Sequence, residues 1–459
     1  MKKTKIVALL LTGIMLLSLA ACGQKAAEPA TSGGDTTKEA GGETTEATEP
    51  TGNDLSGDLR VTWWGNTQRD QLYQQINEMF MAEYPGVNII TESPGWNDYW
   101  PAVATSFASG SAPDVIQFQS GRVGEFVPMG VLAPLDEYVD NGTINLEGWN
   151  KDLANTGIFD NNLYMVTLGI TAQTCYINQT YLDELGIELW GEDEDITWED
   201  FTKFMKEVQD KLPAGSHALQ EIAKNNDLIW LWMRQHTPAG VEWTDAEGNF
   251  APTEEALTKW FDLADEMRQD ESLPSVALGQ EWEQLSWEEG AFVNRNVVFY
   301  FANANQIMTY QNATEDKIVM RKVPTAPDAD NAHGDLLISS AFAVSEASQQ
   351  KELAATYIDF FANNIEAQKV FNFELGVPGS LAVQEALVAN ADPANIMAND
   401  YVNMVSETAL PFVPMQPGVA AVVDEIIKVG QEVGAGSRDT TSAAQTVLST
   451  ANDLIRTNR

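Results

Sequence analysis

The sequence predicts an α/β fold arranged in two lobes. Strand and helix periodicities alternate along residues 58–118, and a second, less regular set of strands and helices fills the C-terminal half. The foldable part is also about 400 residues long, more than one hydrophobic core usually serves.

The elements follow in order. Residues 58–64 (DLRVTWW) alternate with period two, so Leu59, Val61 and Trp63 share one face of a strand and Trp64 points the other way. Gly65 and Asn66 break the pattern. From Thr67 the apolar spacing turns helical through Leu72, Ile76 and Met79/Phe80, until Pro85-Gly86 stops it. A second strand over 87–91, a second helix over 97–108 and a third strand over 115–118 complete the alternation of a parallel lobe. Further on, Thr197-Trp-Glu-Asp200 reads as a capping box ahead of an amphipathic helix through Phe201, Phe204, Met205 and Val208. Short strands are expected at 297–301 and 338–344, and helices at 350–363, 365–371, 419–433 and 442–456.

Ahead of the fold lies a targeting segment. Lys2, Lys3 and Lys5 precede an apolar run from Ile6 to Leu19, which is too short for a comfortable membrane span. The run ends in Ala20, Ala21 and Cys22, a pattern that resembles the lipobox of bacterial lipoproteins, in which the cysteine is diacylated; the alternative is an ordinary secretion signal. Residues 1–22 are thus expected to be a lipoprotein signal peptide with Cys22 as the acylated, for instance palmitoylated, anchor on the extracellular face of the cell membrane. Two acyl chains supply the hold that one does not. Residues 23–56, acidic and almost without large apolar side chains, are expected to be a disordered linker.

The formal net charge is −41, from 26 basic and 67 acidic residues, which disfavours nucleic acid and anionic lipid as partners. Beyond Cys22 the only cysteine is Cys175, expected to be buried and structural. His217, His236 and His333 stand far apart, and no metal-ligand spacing or catalytic triad is visible. No cofactor, metal or catalytic residue is expected.

Several segments together resemble one family. Residues 109–115 (SGSAPDV), 130–136 (GVLAPLD), the run from Leu163-Tyr-Met-Val-Thr through Tyr176-Ile-Asn178, Leu182 and Gly186 to Thr197-Trp198, and the stretch 339–361 ending in Gly376-Val-Pro-Gly379 are similar to the extracellular solute-binding proteins of ABC importers, which include maltose- and other oligosaccharide-binding proteins. Met165 and Thr167 stand where that family usually has Gly and Pro. The resemblance implies a two-lobed, type II periplasmic-binding-protein-like fold with a hinge between the lobes. It places 57–170 plus 324–380 in the first lobe and 171–323 plus 381–459 in the second. It further implies a monomeric receptor that captures a carbohydrate, in particular an oligosaccharide, and delivers it to membrane permease subunits.

Sugars offer flat C–H faces and a rim of hydroxyls, so a site for them needs aromatic plates and short polar side chains. Loops at strand ends are the place for both. The candidates are Trp64, Asn66, Trp96, Asp98, Gln119, Ser120 and Asn303 to Gln306, with Trp230, Trp232, Trp282, Trp287 and the adjoining Glu288 and Glu289 from the second lobe. Trp63, Trp149, Trp190, Trp198 and Trp260 are expected to pack, Asp114 to hold a turn and Asp136 to cap a helix. Two alternatives stay open: the same fold holding a peptide, polyamine or other non-sugar solute, and an extracellular glycoside hydrolase working through paired carboxylates.

Overall fold

The computed structural model describes residues 55–457, apart from residues 150, 193, 239, 287, 288, 328, 330 and 411 and the side chains of 97, 152 and 153. The signal segment, Cys22 and nearly all of the linker therefore lie outside the described residues.

The principal elements of the first half are β1 (Ser56–Thr62), α1 (Thr67–Glu83), β2 (Gly86–Glu92), α2 (Trp96–Ala108), β3 (Val115–Gln119), β4 (Met165–Asn178), α3 (Trp198–Gln209), β5 (His217–Leu219) and α4 (Asn226–His236). They continue with α5 (Glu254–Gln269), β6 (Val297–Asn303), α6 (Ile307–Ala313), β7 (Ile318–Arg321), β8 (Leu337–Val344), α7 (Lys351–Asn363), α8 (Ile365–Phe371), α9 (Pro393–Ser406), α10 (Val419–Gly434) and α11 (Thr440–Thr457).

β1 pairs in parallel with both β2 and β3, as the alternation predicts. The sheet is nevertheless mixed, because β8 lies antiparallel between β3 and β4. β1 ends at Thr62, so Trp63 and Trp64 are already in the turn, yet Leu59, Val61 and Trp63 all lie buried together. Asn66 caps α1 by accepting a hydrogen bond from the Arg69 N–H at 3.0 Å. Tyr73 replaces the expected Leu72 at the helix's deepest contact, stacking on Trp63 at 4.2 Å.

Most of β4 carries no alternating strand signal in the sequence, yet this strand organises the molecule. Its first half, Met165 to Ala172, pairs with β8. From Gln173 it pairs with β6 instead, and Cys175 to Asn178 also pair with β7. One continuous strand thus serves two groups of strands. A neighbouring segment crosses with it: Ile170 and Val377 exchange backbone hydrogen bonds of 2.8 and 2.7 Å. Gly376 permits that approach, since its φ is +109° and a Cβ there would sit 2.1 Å from the Ile170 carbonyl oxygen.

The apolar side chains gather on the two sides of this crossing. Leu59, Val61, Trp63, Tyr73 and Phe80 pack with Phe342, Tyr357 and Phe361 on one side. On the other, Cys175, Trp198, Phe201, Trp232 and Phe299 pack with Val422, Ile426 and Val447 of the last two helices. Cys175 is fully buried there, which pushes its thiol pKa well up and leaves it unionised. Asp114 ties strands together by accepting from the Arg60 N–H at 2.9 Å. Asp136 does not cap its own helix: its carboxylate accepts instead from the Leu163 N–H, at 3.1 and 3.2 Å from its two oxygens.

Candidate functional site

The carboxyl ends of β1 and β3 open onto the seam between the two packing centres, where ligands settle in open α/β sheets. Trp64 follows β1, Gln119 to Gly121 close β3, and Trp96 begins α2. The chain's spacing makes a cluster here. Trp96, Tyr99 and Trp100 fall at i, i+3 and i+4, hence on one face of α2, and that face meets Trp64.

Trp64 is only 9 % exposed, with its ring edge-on to Trp96 at 5.3 Å and to Tyr99 at 5.2 Å. Trp96 is 45 % exposed and also stands edge-on to Trp100 at 6.0 Å. Edge-to-face pairs of this kind contribute about 0.5–1.5 kcal/mol beyond area burial. Trp96 is therefore the exposed ring of this cluster and Trp64 its backing, whereas strand alternation alone puts Trp64 outward. Trp63 is core, as predicted, with its indole N–H donated to Asp70 Oδ1 at 2.9 Å.

The polar candidates divide. The Asn66 side-chain oxygen is occupied by capping, while Asp98 is exposed in the first turn of α2, where its charge favours the helix dipole. Gln119 is half-buried beside the seam. Ser120 is fully buried, and its Oγ accepts the Ser339 N–H at 3.0 Å, so its hydroxyl serves the β8 contact and not a solute.

Trp230 and Trp232 part company on α4. Two residues on a helix are about 200° apart, so the two indoles face opposite ways. Trp232 goes inward: it is 4 % exposed, donates to the Ala256 carbonyl at 3.0 Å and stacks on His236 at 4.2 Å. It is a core residue and no plate for a ligand. Trp230 is equally buried, at 5 % exposed, and belongs to the same core, but the outer edge of its six-membered ring meets Gly121; a Cβ on that glycine would lie 3.0 Å from the ring. Trp282 is half-buried against His217. Trp287 and Glu288 lie outside the described residues.

Asn303 ends β6 and donates through Nδ2 to Asp227 Oδ2 at 3.1 Å. Asp227 is not among the candidates above, although its place in the first turn of α4, just after the cap Asn225, marks it in the sequence. Burial raises its pKa, and the Asn303 hydrogen bond opposes that rise. Nearby, Asn305 donates to the Glu374 carbonyl at 3.1 Å, and Glu374 pairs with Arg69 at 2.8 Å. A cavity of about 150 Å³ opens here; half its lining is amide side chains, Gln68, Asn305, Asn312, Asn372 and Asn395, and Met308, Phe373 and Glu374 are among the rest. At ~30 Å³ per water it holds roughly five waters, below the ~300–1,000 Å³ of small-molecule sites. Among the described residues no three His, Cys, Asp or Glu side chains gather as a metal ion would require.

The mixed α/β architecture, with its strand pairings shared along β4 and aromatic side chains gathered beyond β1, is that of the two-lobed solute-binding proteins. The chain belongs to the bacterial extracellular solute-binding proteins, whose family model matches residues 64–368. A maltotriose-binding protein of Pyrococcus abyssi is 32 % identical over 85 residues, a segment that covers 18 % of each chain. Among solved structures, a periplasmic solute-binding protein of Pectobacterium atrosepticum superposes with a TM-score of 0.77 at 20 % identity, covering 88 % of this chain and 100 % of that one. A periplasmic oligogalacturonide-binding protein of Yersinia enterocolitica, solved with saturated digalacturonic acid, gives 0.75 at 20 % identity, over 87 % and 99 %. These likenesses bear out the two-lobed fold that the sequence predicts.

Proposed function

We propose that this protein captures an oligosaccharide between its lobes and delivers it to the transmembrane subunits of an ABC importer. The observation that carries the reading is Trp96, a 45 % exposed indole braced by Trp64 and Trp100 at the strand ends; a separate cavity carries several amide side chains. Such a plate suits the C–H face of a sugar ring, and the amides suit its hydroxyls. The similarity to a maltotriose-binding and an oligogalacturonide-binding protein supports the same substrate class.

In this reading the lobes are those the sequence suggests, 57–170 with 324–380 and 171–323 with 381–459, except that the return crossing moves from 324 into β8, because Leu336 and Ile338 pack on the second centre and Phe342 on the first. The chain acts as a monomeric receptor without turnover. Cys22 carries the acyl anchor that holds it at the outer face of the membrane, and 23–56 is the tether. No helix among the described residues is long and apolar enough to cross a membrane.

A thermal-shift screen of the chain from Gly57 onward tests this, because a solute that binds only the native state raises the melting temperature by mass action. Malto-oligosaccharides and oligogalacturonides, run beside amino acids, peptides and polyamines, are expected to give the only shifts, with the sugars recovered intact. A shift with peptides or polyamines alone overturns the substrate class, and sugar hydrolysis overturns the receptor role. Cys22→Ser is expected to move the protein from the membrane fraction to the medium.

A further inference from the structure

The seam-facing indole of Trp230 is held from behind by a buried ion pair. Its N–H donates to Glu242 Oε2 at 2.8 Å. The other oxygen of that carboxylate lies 3.5 Å from Arg234 Nε, and the two side chains are 9 % and 2 % exposed. Arg234 stands one helical turn beyond Trp230 on the same face of α4. Burial raises the Glu242 pKa while Arg234 and Trp230 oppose the rise, and the same burial lowers that of Arg234 while Glu242 opposes the fall. The two charges face each other as a buried ion pair without a hydrogen bond between them, and Arg234 Nε and Nη1 have no hydrogen-bond partner among the described residues.

A buried charge pair is a weak source of stability, since desolvation offsets most of its attraction, but it fixes geometry well. Here one end of the pair meets a single group that leads out to the seam: the Trp230 indole, whose far edge rests against Gly121 of the opposite lobe. Tryptophan swings about two side-chain torsions, and anchoring the N–H at one edge of the ring fixes where the other edge lies. Phe412 and Trp243 flank the ring at 6.0 and 6.5 Å, but neither touches its polar atom by a hydrogen bond.

We propose that Glu242, backed by Arg234, is a positioning residue that orients Trp230 as the second-lobe wall of the solute cleft, opposite the Trp96 plate on the first lobe. This rests on the reading of the seam as the binding cleft. Glu242 touches no solute; it acts through Trp230.

The test uses the whole extracellular chain from Gly57, labelled with ¹⁵N-tryptophan, and the Trp230 indole signal is assigned by its loss in Trp230→Phe. Glu242→Gln keeps an acceptor for the indole. Glu242→Leu removes it but strands a buried guanidinium, so Arg234→Met/Glu242→Leu is made alongside to remove both charges. The expected result is that the double variant stays folded, shifts the Trp230 N–H signal upfield and speeds its exchange with solvent by about tenfold, as loss of a hydrogen bond to a charged acceptor implies. Glu242→Gln retains most of the wild-type signal. An unchanged Trp230 signal in Glu242→Leu and in the double variant overturns the proposal.

Titration with maltotriose and with digalacturonic acid supplies the second arm. Where either binds the wild-type chain, the double variant is expected to weaken it about tenfold, and to weaken Trp230→Phe no further, the non-additivity of groups that act as a unit. Full additivity with Trp230→Phe overturns the positioning role. If neither sugar binds the wild-type chain, the sugar reading fails, and the indole signal alone decides the Glu242–Trp230 relation.

Discussion

Ile170 and Val377 exchange two backbone hydrogen bonds, 2.8 and 2.7 Å long, where two crossings between the lobes lie side by side. β8 pairs with β4 at the same level, so three chain segments pass through one narrow waist. Short paired strands bend about their ends while the lobes they join stay packed, which is the construction of a hinge.

The waist makes Gly376 hard to replace. Gly376→Ala is expected to destabilise the protein by about 2–3 kcal/mol, through a strained positive φ together with a clash on the Ile170 carbonyl. A lower urea midpoint with an unchanged slope is the result to look for.

Trp63 and Trp96 should separate stability from binding. Trp63→Ala empties a fully buried, stacked position and is expected to cost about 3–5 kcal/mol of stability. Trp96→Ala removes a half-exposed ring with two edge-to-face pairs, so the melting temperature should fall much less than in Trp63→Ala while sugar binding is lost. Calorimetric melting and titration on the same samples read both.

Gly121 should tolerate little. A leucine there pushes on the Trp230 ring across the seam and is expected to weaken sugar binding by about tenfold or more, the overpacking cost expressed as affinity. Small-angle scattering should show the variant staying open at sugar concentrations that close the wild-type chain.

The pH dependence follows from Asp227. Burial raises its pKa above the unfolded value, so the native state holds this proton more tightly; the stability it contributes is fully present below the unfolded pKa and is lost as pH rises through the folded one. Asp227→Asn does not titrate. Relative to wild type, the variant should become steadily more stable as pH rises from acid to neutral, as urea melts at several pH values would record. A difference that stays flat with pH contradicts the assignment.

Much of the fold could be read from the sequence because alternation and helical spacing are clean where one face of an element meets water. β1, α1, β2 and α2 are of that kind. β4 is not: all fourteen of its residues are buried, so no polar face marks the period, and only the family resemblance pointed to a crossover there. The same physics hid the difference between Trp230 and Trp232, since α4 is buried from Leu228 to Gln235 and its apolar character runs all the way round. Ser120 misled for another reason. A short hydroxyl at a strand end suits a ligand or a backbone N–H equally, and only the position of β8 shows that Ser339 takes it.

The most direct test of the account is calorimetric titration of the chain from Gly57 and of its Trp96→Ala variant with malto-oligosaccharides and oligogalacturonides. The account predicts one-to-one binding of an oligosaccharide by the wild-type chain, released intact, and no measurable binding by the variant. Sugar binding that survives Trp96→Ala unchanged, or a wild-type chain that binds only peptides or polyamines, would contradict it.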